Sequence, residues 1–306
     1  MKLLFLGAGA VGGYFGARLI EAGADVTFLL RPARKARIDA EGLQVESPYG
    51  DFHVAPRCVV RDEVRPEYDL TVFAAKAYDL DDAIETIAPA VGQSGRVLPL
   101  LNGLAHMDRL DARFGAGRVL GGVAHIAGVL GDDGVVRQLN RIHSLTVGGR
   151  DEPTRLLARR FVELCAQARF DCRLADDIEA TLWEKWTFLA TLAGITTLMR
   201  ASVGAIVATP HGEPLTRRLY GECLAVAAAH GKAVAEAGQN KALTMLTEPG
   251  SAFAASMLRD LQAGHRTEHE HVLGDLACRA ESAGIDVPLL KAALTQMQLR
   301  DRERAG

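Results

Sequence analysis

Short apolar runs alternate with helical periods along the first half of the chain. Leu3–Leu6 is an apolar run of buried-strand length, Val11 to Ala22 has helical periodicity that Gly23 stops, and Val26–Leu30 is a second β run. Leu70–Ala75 and Val97–Leu101 repeat the strand pattern, with a helix predicted over Asp81–Val91 between them. Such β-α-β alternation predicts a mainly parallel, doubly wound sheet. Leu43–Glu46 and Phe52–Ala55 flank Ser47-Pro48-Tyr49-Gly50-Asp51 and read as a hairpin inserted between units. Val119–Leu130, Val135–Leu139 and Ser144–Val147 are further β runs. Turn residues Gly131-Asp132-Asp133-Gly134 separate the first two, so the far edge of the sheet is expected to be antiparallel.

After about Leu174 the strand pattern stops. Asp176–Met199, Glu213–Gly238, Ser251–Ala283 and Pro288–Arg302 are long helical periods, broken at Gly204, Pro210, Gly212, Pro249, Gly284 and Pro288. The expected organisation is an α/β domain over residues 1–173 and an all-α domain over residues 174–306.

Composition narrows the partners. The chain has 306 residues, a net charge of −3, 24% charged and 48% hydrophobic residues, which suits a globular protein of two domains. No Lys/Arg cluster points to nucleic acid, and no apolar run reaches the roughly 18 residues of a membrane span. The N-terminus lacks the basic start and cleavage site of a signal peptide, so a cytoplasmic protein is expected. Cys58, Cys165, Cys172, Cys223 and Cys278 form no C-x-x-C pair and read as reduced, small hydrophobes.

Gly7-Ala8-Gly9-Ala10-Val11-Gly12 fits G-x-G-x-x-G, with a strand before it, a helix after it and a second strand completing the unit. That context points to a dinucleotide: Gly7 permits the turn, Gly9 lets backbone approach a pyrophosphate, and Gly12 allows close helix–strand packing. NAD-binding chains place a carboxylate about 20 residues on, for the ribose 2′-hydroxyl. Here Arg31 stands nineteen residues after Gly12, with Arg34 and Lys35 close behind. A guanidinium pairs with a 2′-phosphate that a carboxylate would repel, so NADP(H) is the expected cofactor. Lys76 directly follows one strand and Asn102-Gly103 another, both at carboxyl ends where such sheets bind ligands.

These residues resemble the ketopantoate reductase (2-dehydropantoate 2-reductase) family. The resemblance spans nearly the whole chain and adds Ala75-Lys76, Trp183-x-Lys185, and Ser256-Met257 with Thr267-Glu268 following, the threonine and glutamate lying eleven and twelve residues after the serine. It implies a Rossmann domain followed by a helical domain of the 6-phosphogluconate dehydrogenase C-terminal type, which would carry substrate contacts and any homodimer interface. It implies NADPH-dependent reduction of a 2-oxo acid in pantothenate biosynthesis. Lys185 would be the general acid and Glu268 its acidic partner. Asn102, Lys185 and Ser256 would meet the substrate. Gly7, Ala8, Gly9, Ala10, Val11, Gly12, Arg31, Lys76 and Asn102 would contact the cofactor.

The residue types suit that chemistry. Hydride delivery to a ketone leaves charge on its oxygen, which a nearby ammonium can stabilise and then protonate. Lys185 shares a helical face with Thr181, Phe188, Leu189 and Leu192, where burial would lower its pKa. Where the family usually carries asparagines, four and eight residues after the lysine and in the turn beyond, this chain has Leu189, Ala193 and Val203. The resemblance therefore leaves the substrate open, with Arg200 as a candidate carboxylate anchor. His265 and His269 have i, i+4 spacing and His271 follows, but hydride transfer requires no metal and none is expected. Two other readings stand beside this one: another hydroxyacid dehydrogenase of the same two-domain class, and a non-catalytic NADP-binding sensor.

Overall fold

The computed structural model describes residues 1–305. The chain divides into two compact units, residues 1–101 with 106–178, and residues 102–105 with 179 onward. The first unit begins β1 (Lys2–Leu6), α1 (Ala10–Glu21), β2 (Asp25–Leu29), α2 (Pro32–Glu41), β3 (Leu43–Glu46), β4 (Phe52–Val54), β5 (Arg57–Val59) and β6 (Leu70–Phe73). It continues with α3 (Leu80–Val91), β7 (Arg96–Pro99), α4 (Ala105–Phe114), β8 (Gly121–Leu130), β9 (Val136–Gly148), α5 (Glu152–Cys165) and β10 (Asp171–Leu174).

Five strands form a parallel sheet in the order β5-β2-β1-β6-β7, with Leu3 paired to Val26 on one side and to Leu70 on the other. Leu3–Leu6 and Leu70–Phe73 are buried throughout, which is why both read as unbroken apolar runs rather than alternating ones. The chain enters β1, passes to β2 on one side and later to β6 on the other. The carboxyl end of β1 is therefore the point where the winding reverses, and α1 begins there.

The expected antiparallel edge is a second sheet instead. Its order is β10-β9-β3-β4, with β8 antiparallel to β9, and a single bridge from Val97 to Val119 leads into it. The two short runs expected at 135–139 and 144–147 are one 13-residue strand. Its middle is open to solvent, with Leu139 and Ile142 half exposed, so no apolar alternation marks it. The 43–55 hairpin forms as expected, pairing Leu43 with Val54 and Val45 with Phe52.

In the second unit the helices are α6 (Ile178–Met199), α7 (Val203–Val207), α8 (Gly212–Ala229), α9 (Glu236–Leu246), α10 (Ser256–Gln262), α11 (Asp275–Ser282) and α12 (Pro288–Ala305). A wide π-helical turn over Glu270–Gly274 precedes α11. Two expected long helices are broken: Gly231 and Gly264 adopt positive φ of +71° and +70°, which ends one helix at Ala229 and another at Gln262. α6 is buried over most of its length, and its threonines are satisfied internally. Thr191, Thr196 and Thr197 each donate to the carbonyl four residues back, at 2.6–2.8 Å. Among the described residues no helix is long and apolar enough to cross a membrane.

Candidate active site

The glycine loop sits at the carboxyl end of β1. Gly7 has φ +90°, and its amide donates to the Leu29 carbonyl at 3.0 Å. A Cβ on Gly12 would lie 2.5 Å from the Gly7 oxygen and 3.0 Å from the Ala74 Cβ, so helix and strand could not approach so closely with any other residue. At Gly9 the space is open, with nothing within 4 Å of a built Cβ. Gly9 is also the N-cap of α1, and no side chain caps that terminus, which leaves the first amides of the helix without a side-chain acceptor. Ala8 is buried. Open space beside Gly9, uncapped amides and the helix dipole together fit a pyrophosphate.

Basic residues surround this loop in two different ways. Arg31 is the N-cap of α2 with a side chain 77% exposed, and its Nη2 pairs with Asp79 Oδ2 at 2.8 Å. Asp79 belongs to the short turn that Lys76 opens after β6, so the pair links the carboxyl ends of β2 and β6, the two strands that flank β1. Arg34 turns inward. Its Nη2 donates to the Ala8 carbonyl at 3.1 Å while Nε is buried without a hydrogen-bond partner. Burial, and then the charge of Arg37, lower the Arg34 pKa.

The remaining candidates gather in the second unit. Asn102 lies in the 102–105 segment that belongs to this unit rather than to the α/β one. Gly103 has φ +77°, and a Cβ there would come within 2.8 Å of the His271 carbonyl oxygen. Asn102-Gly103 is therefore more than a permissive turn. Its backbone is pressed against the π turn, and the Asn102 backbone hydrogen-bonds the His271 ring. Burial lowers the His271 pKa, opposed by Glu268 and Asp275.

A small concavity brings Asn102, Ser256 and Glu268 together with Leu189 and Ala193 of α6. Ala255, Met257, Asp260 and Val272 complete the lining. Lys185 stands one helical turn before Leu189. Desolvation pulls its ammonium down to a pKa of about 8, and the nearby Glu268 carboxylate opposes that fall. Ser256 is the first residue of α10, exposed toward the pocket.

Three sequence expectations change here. Val203 does not line the pocket; it is buried at the start of α7, its amide bonded to the Phe253 carbonyl at 2.9 Å. Arg200 ends α6 with φ +52° and is exposed, and it lines no part of the pocket. His265 and His269 do not share a helix, because residues 265–268 form a non-helical link between α10 and the π turn. His269 is buried with Nδ1 against Thr267 Oγ1 at 2.8 Å, and among the described residues no cluster of three or more His, Cys, Asp or Glu could hold a metal. Asp260 was missed in the sequence. Its position one helical turn after Ser256 was the available signal.

The first unit carries a loop that can hold a dinucleotide; the second carries a lysine of depressed pKa and, one helical turn along, a small pocket with a carboxylate and two neutral polar groups. Residues 3–152 match the family model described as ketopantoate reductase PanE/ApbA, and residues 177–301 match the model of its C-terminal domain. The uncharacterized oxidoreductase YkpB of Bacillus subtilis is 32% identical over 304 residues, covering 99% of this chain and all of that one. The 2-dehydropantoate 2-reductase of Archaeoglobus fulgidus is 29% identical over 295 residues, covering 96% and 95%. A crystal structure of a PanE/ApbA family ketopantoate reductase from Ralstonia eutropha superposes with a TM-score of 0.89 at 26% identity, over the whole of both chains. The α/β sheet, the helical second unit and the matches along both of them lead to one conclusion: the chain belongs to the ketopantoate reductase family of oxidoreductases.

Proposed function

We propose that the protein reduces a 2-oxo acid to the 2-hydroxy acid with NADPH, using Lys185 as the proton donor. The observation that carries this reading is Lys185 itself. An ammonium lowered by burial to a pKa of about 8, opposed by Glu268 and one helical turn from a pocket lined by Glu268, Asn102 and Ser256, is matched to giving up a proton near neutral pH. NADPH, when bound, supplies the hydride. The Gly7–Gly12 loop would hold its pyrophosphate, and Arg31 and Lys76 its 2′-phosphate end.

The chain's own groups divide the remaining work. Asn102 and Ser256 donate hydrogen bonds to the substrate's carboxylate and keto oxygens. Lys185 Nζ faces the keto oxygen, stabilises negative charge as it develops and then transfers a proton to that oxygen. Glu268 keeps the ammonium charged against the desolvation that favours its neutral form. A cytoplasmic setting is in keeping with five thiols that are all free.

The test is consumption of NADPH by the purified protein over a panel of 2-oxo acids, followed by nicotinamide absorbance. Turnover that requires both a 2-oxo acid and Lys185 is expected. Tight NADPH binding with no turnover on any 2-oxo acid would mark a sensor and overturn the proposal.

A further inference from the structure

We infer that the 2-oxo acid reduced here carries a hydrocarbon side chain without a hydroxyl group; this rests on the reductase reading above. A 2-oxo acid brings two polar groups of its own, the carboxylate and the keto oxygen, and both need donors. Lys185, Asn102 and Ser256 supply them. What the substrate's side chain then meets is the rest of the pocket, and on α6 that is Leu189 and Ala193, one turn apart and both apolar.

No neighbour on α6 substitutes for the missing polarity. Thr196 Oγ1 is spent on the Leu192 carbonyl at 2.6 Å and Thr197 Oγ1 on the Ala193 carbonyl at 2.6 Å, and both threonines are buried. Arg200, the next cation along the helix, is exposed and outside the lining. Met257 and Val272 add further hydrocarbon. A hydroxyl placed against these groups loses its water and gains nothing, whereas a methyl group there gains from burial. The acceptors a hydroxylated side chain could turn to are the carboxylates of Asp260 and Glu268, and both lie off the α6 wall, Asp260 on α10 and Glu268 before the π turn.

The decisive comparison uses two substrates that differ only in the hydroxyl: 3,3-dimethyl-2-oxobutanoate and its hydroxylated counterpart, ketopantoate. With NADPH, wild type is expected to favour the hydroxyl-free acid by about ten- to a hundredfold in kcat/KM, the scale of one to two unmade hydrogen bonds. The double change Leu189→Asn with Ala193→Asn should shrink or reverse that ratio. Should the double variant fail to fold, Ala193→Ser adds a single hydroxyl to the same wall and should move the ratio in the same direction. A wild-type preference for ketopantoate overturns the inference while leaving the reductase reading intact. So does a folded variant whose ratio equals that of wild type. Absence of turnover on every 2-oxo acid, with NADPH still bound, overturns the reductase reading itself.

Discussion

Trp186 donates its indole N–H to the carbonyl oxygen of Val272 at 2.9 Å, and the bond ties the helix that carries Lys185 to the turn that follows Glu268. The tryptophan is next in sequence to the lysine and fully buried. Its acceptor lies in the π turn that precedes α11. Position and chemistry are thus coupled: the same contact that satisfies a buried carbonyl fixes where α6 stands relative to the Glu268 segment.

Replacing Trp186 with Phe should therefore do two things. It leaves the Val272 carbonyl buried without its donor, at a cost of about 1–3 kcal/mol in unfolding free energy. It also loosens the lysine against the glutamate, so kcat should fall while NADPH affinity, set on the other unit, stays near that of wild type. Denaturant unfolding and steady-state kinetics measure the two effects separately. A variant with reduced stability and unchanged kcat would confine Trp186 to packing.

The pH profile follows from the lysine. With Lys185 as the proposed proton donor, its protonated form is the active one; burial lowers its pKa to about 8, so the rate of reduction should fall as pH rises through about 8. Glu268 raises that pKa, so Glu268→Gln lowers it and the alkaline limb should shift to lower pH. Lys185→Ala should lose about 10²–10⁴ in kcat, the range for a general acid, and lose the limb altogether. An unmoved limb in Glu268→Gln would show that the carboxylate does not act through the lysine.

Much of this was visible in the residues, and for physical reasons. β1 and β6 announce themselves because both faces are covered, and the loop after β1 because three glycines meet three distinct steric demands. α2 escaped notice because Ile38 is its only buried residue, which leaves no apolar stripe to find. The middle of β9 was invisible for the same reason. Lys185, Glu268, Ser256 and Asn102 could each be singled out in the sequence as candidates, but Asn102 was expected with the α/β unit and is packed with the helical one. Nothing in local sequence reports that the Gly103 backbone lies against His271. Val203 was wrongly expected at the pocket because its direction depends on how the turn after Arg200 folds back, and that arginine's positive φ is not written in any periodicity.

Glu222 caps a helix it does not belong to. Its carboxylate, nearly buried on α8, accepts from the amides of Leu289 at 3.0 and 3.2 Å and Leu290 at 3.0 Å in the first turn of α12. Charge at a helix N-terminus and two otherwise orphaned amides make this a stabilising contact. Glu222→Ala should lower unfolding free energy by about 1–3 kcal/mol, and Glu222→Gln, which keeps an acceptor oxygen, by less. Equal losses in the two variants would point to side-chain volume rather than capping.

Cofactor choice turns on a pair rather than on a single arginine. Arg31 is proposed to bind the 2′-phosphate, yet its guanidinium is held by Asp79 at 2.8 Å. Both side chains are substantially exposed, so the pair contributes little, about 0–1 kcal/mol, and a phosphate dianion can displace the carboxylate. Arg31→Glu should weaken NADPH by about 2–4 kcal/mol, losing a charge-assisted contact and adding repulsion, with a much smaller change for NADH. Asp79→Asn works in the opposite direction. It frees the guanidinium and removes a negative charge from beside the phosphate, so NADPH should bind more tightly, by less than about tenfold given the small worth of the exposed pair. NADH should be almost unaffected. Titrating both cofactors into wild type and both variants gives four ratios. Selective loss in Arg31→Glu together with selective gain in Asp79→Asn is expected. Parallel changes for the two cofactors would mean that Arg31 and Asp79 only brace the strand ends and that the 2′-phosphate is bound elsewhere, with Arg34 and Lys76 the next residues to change.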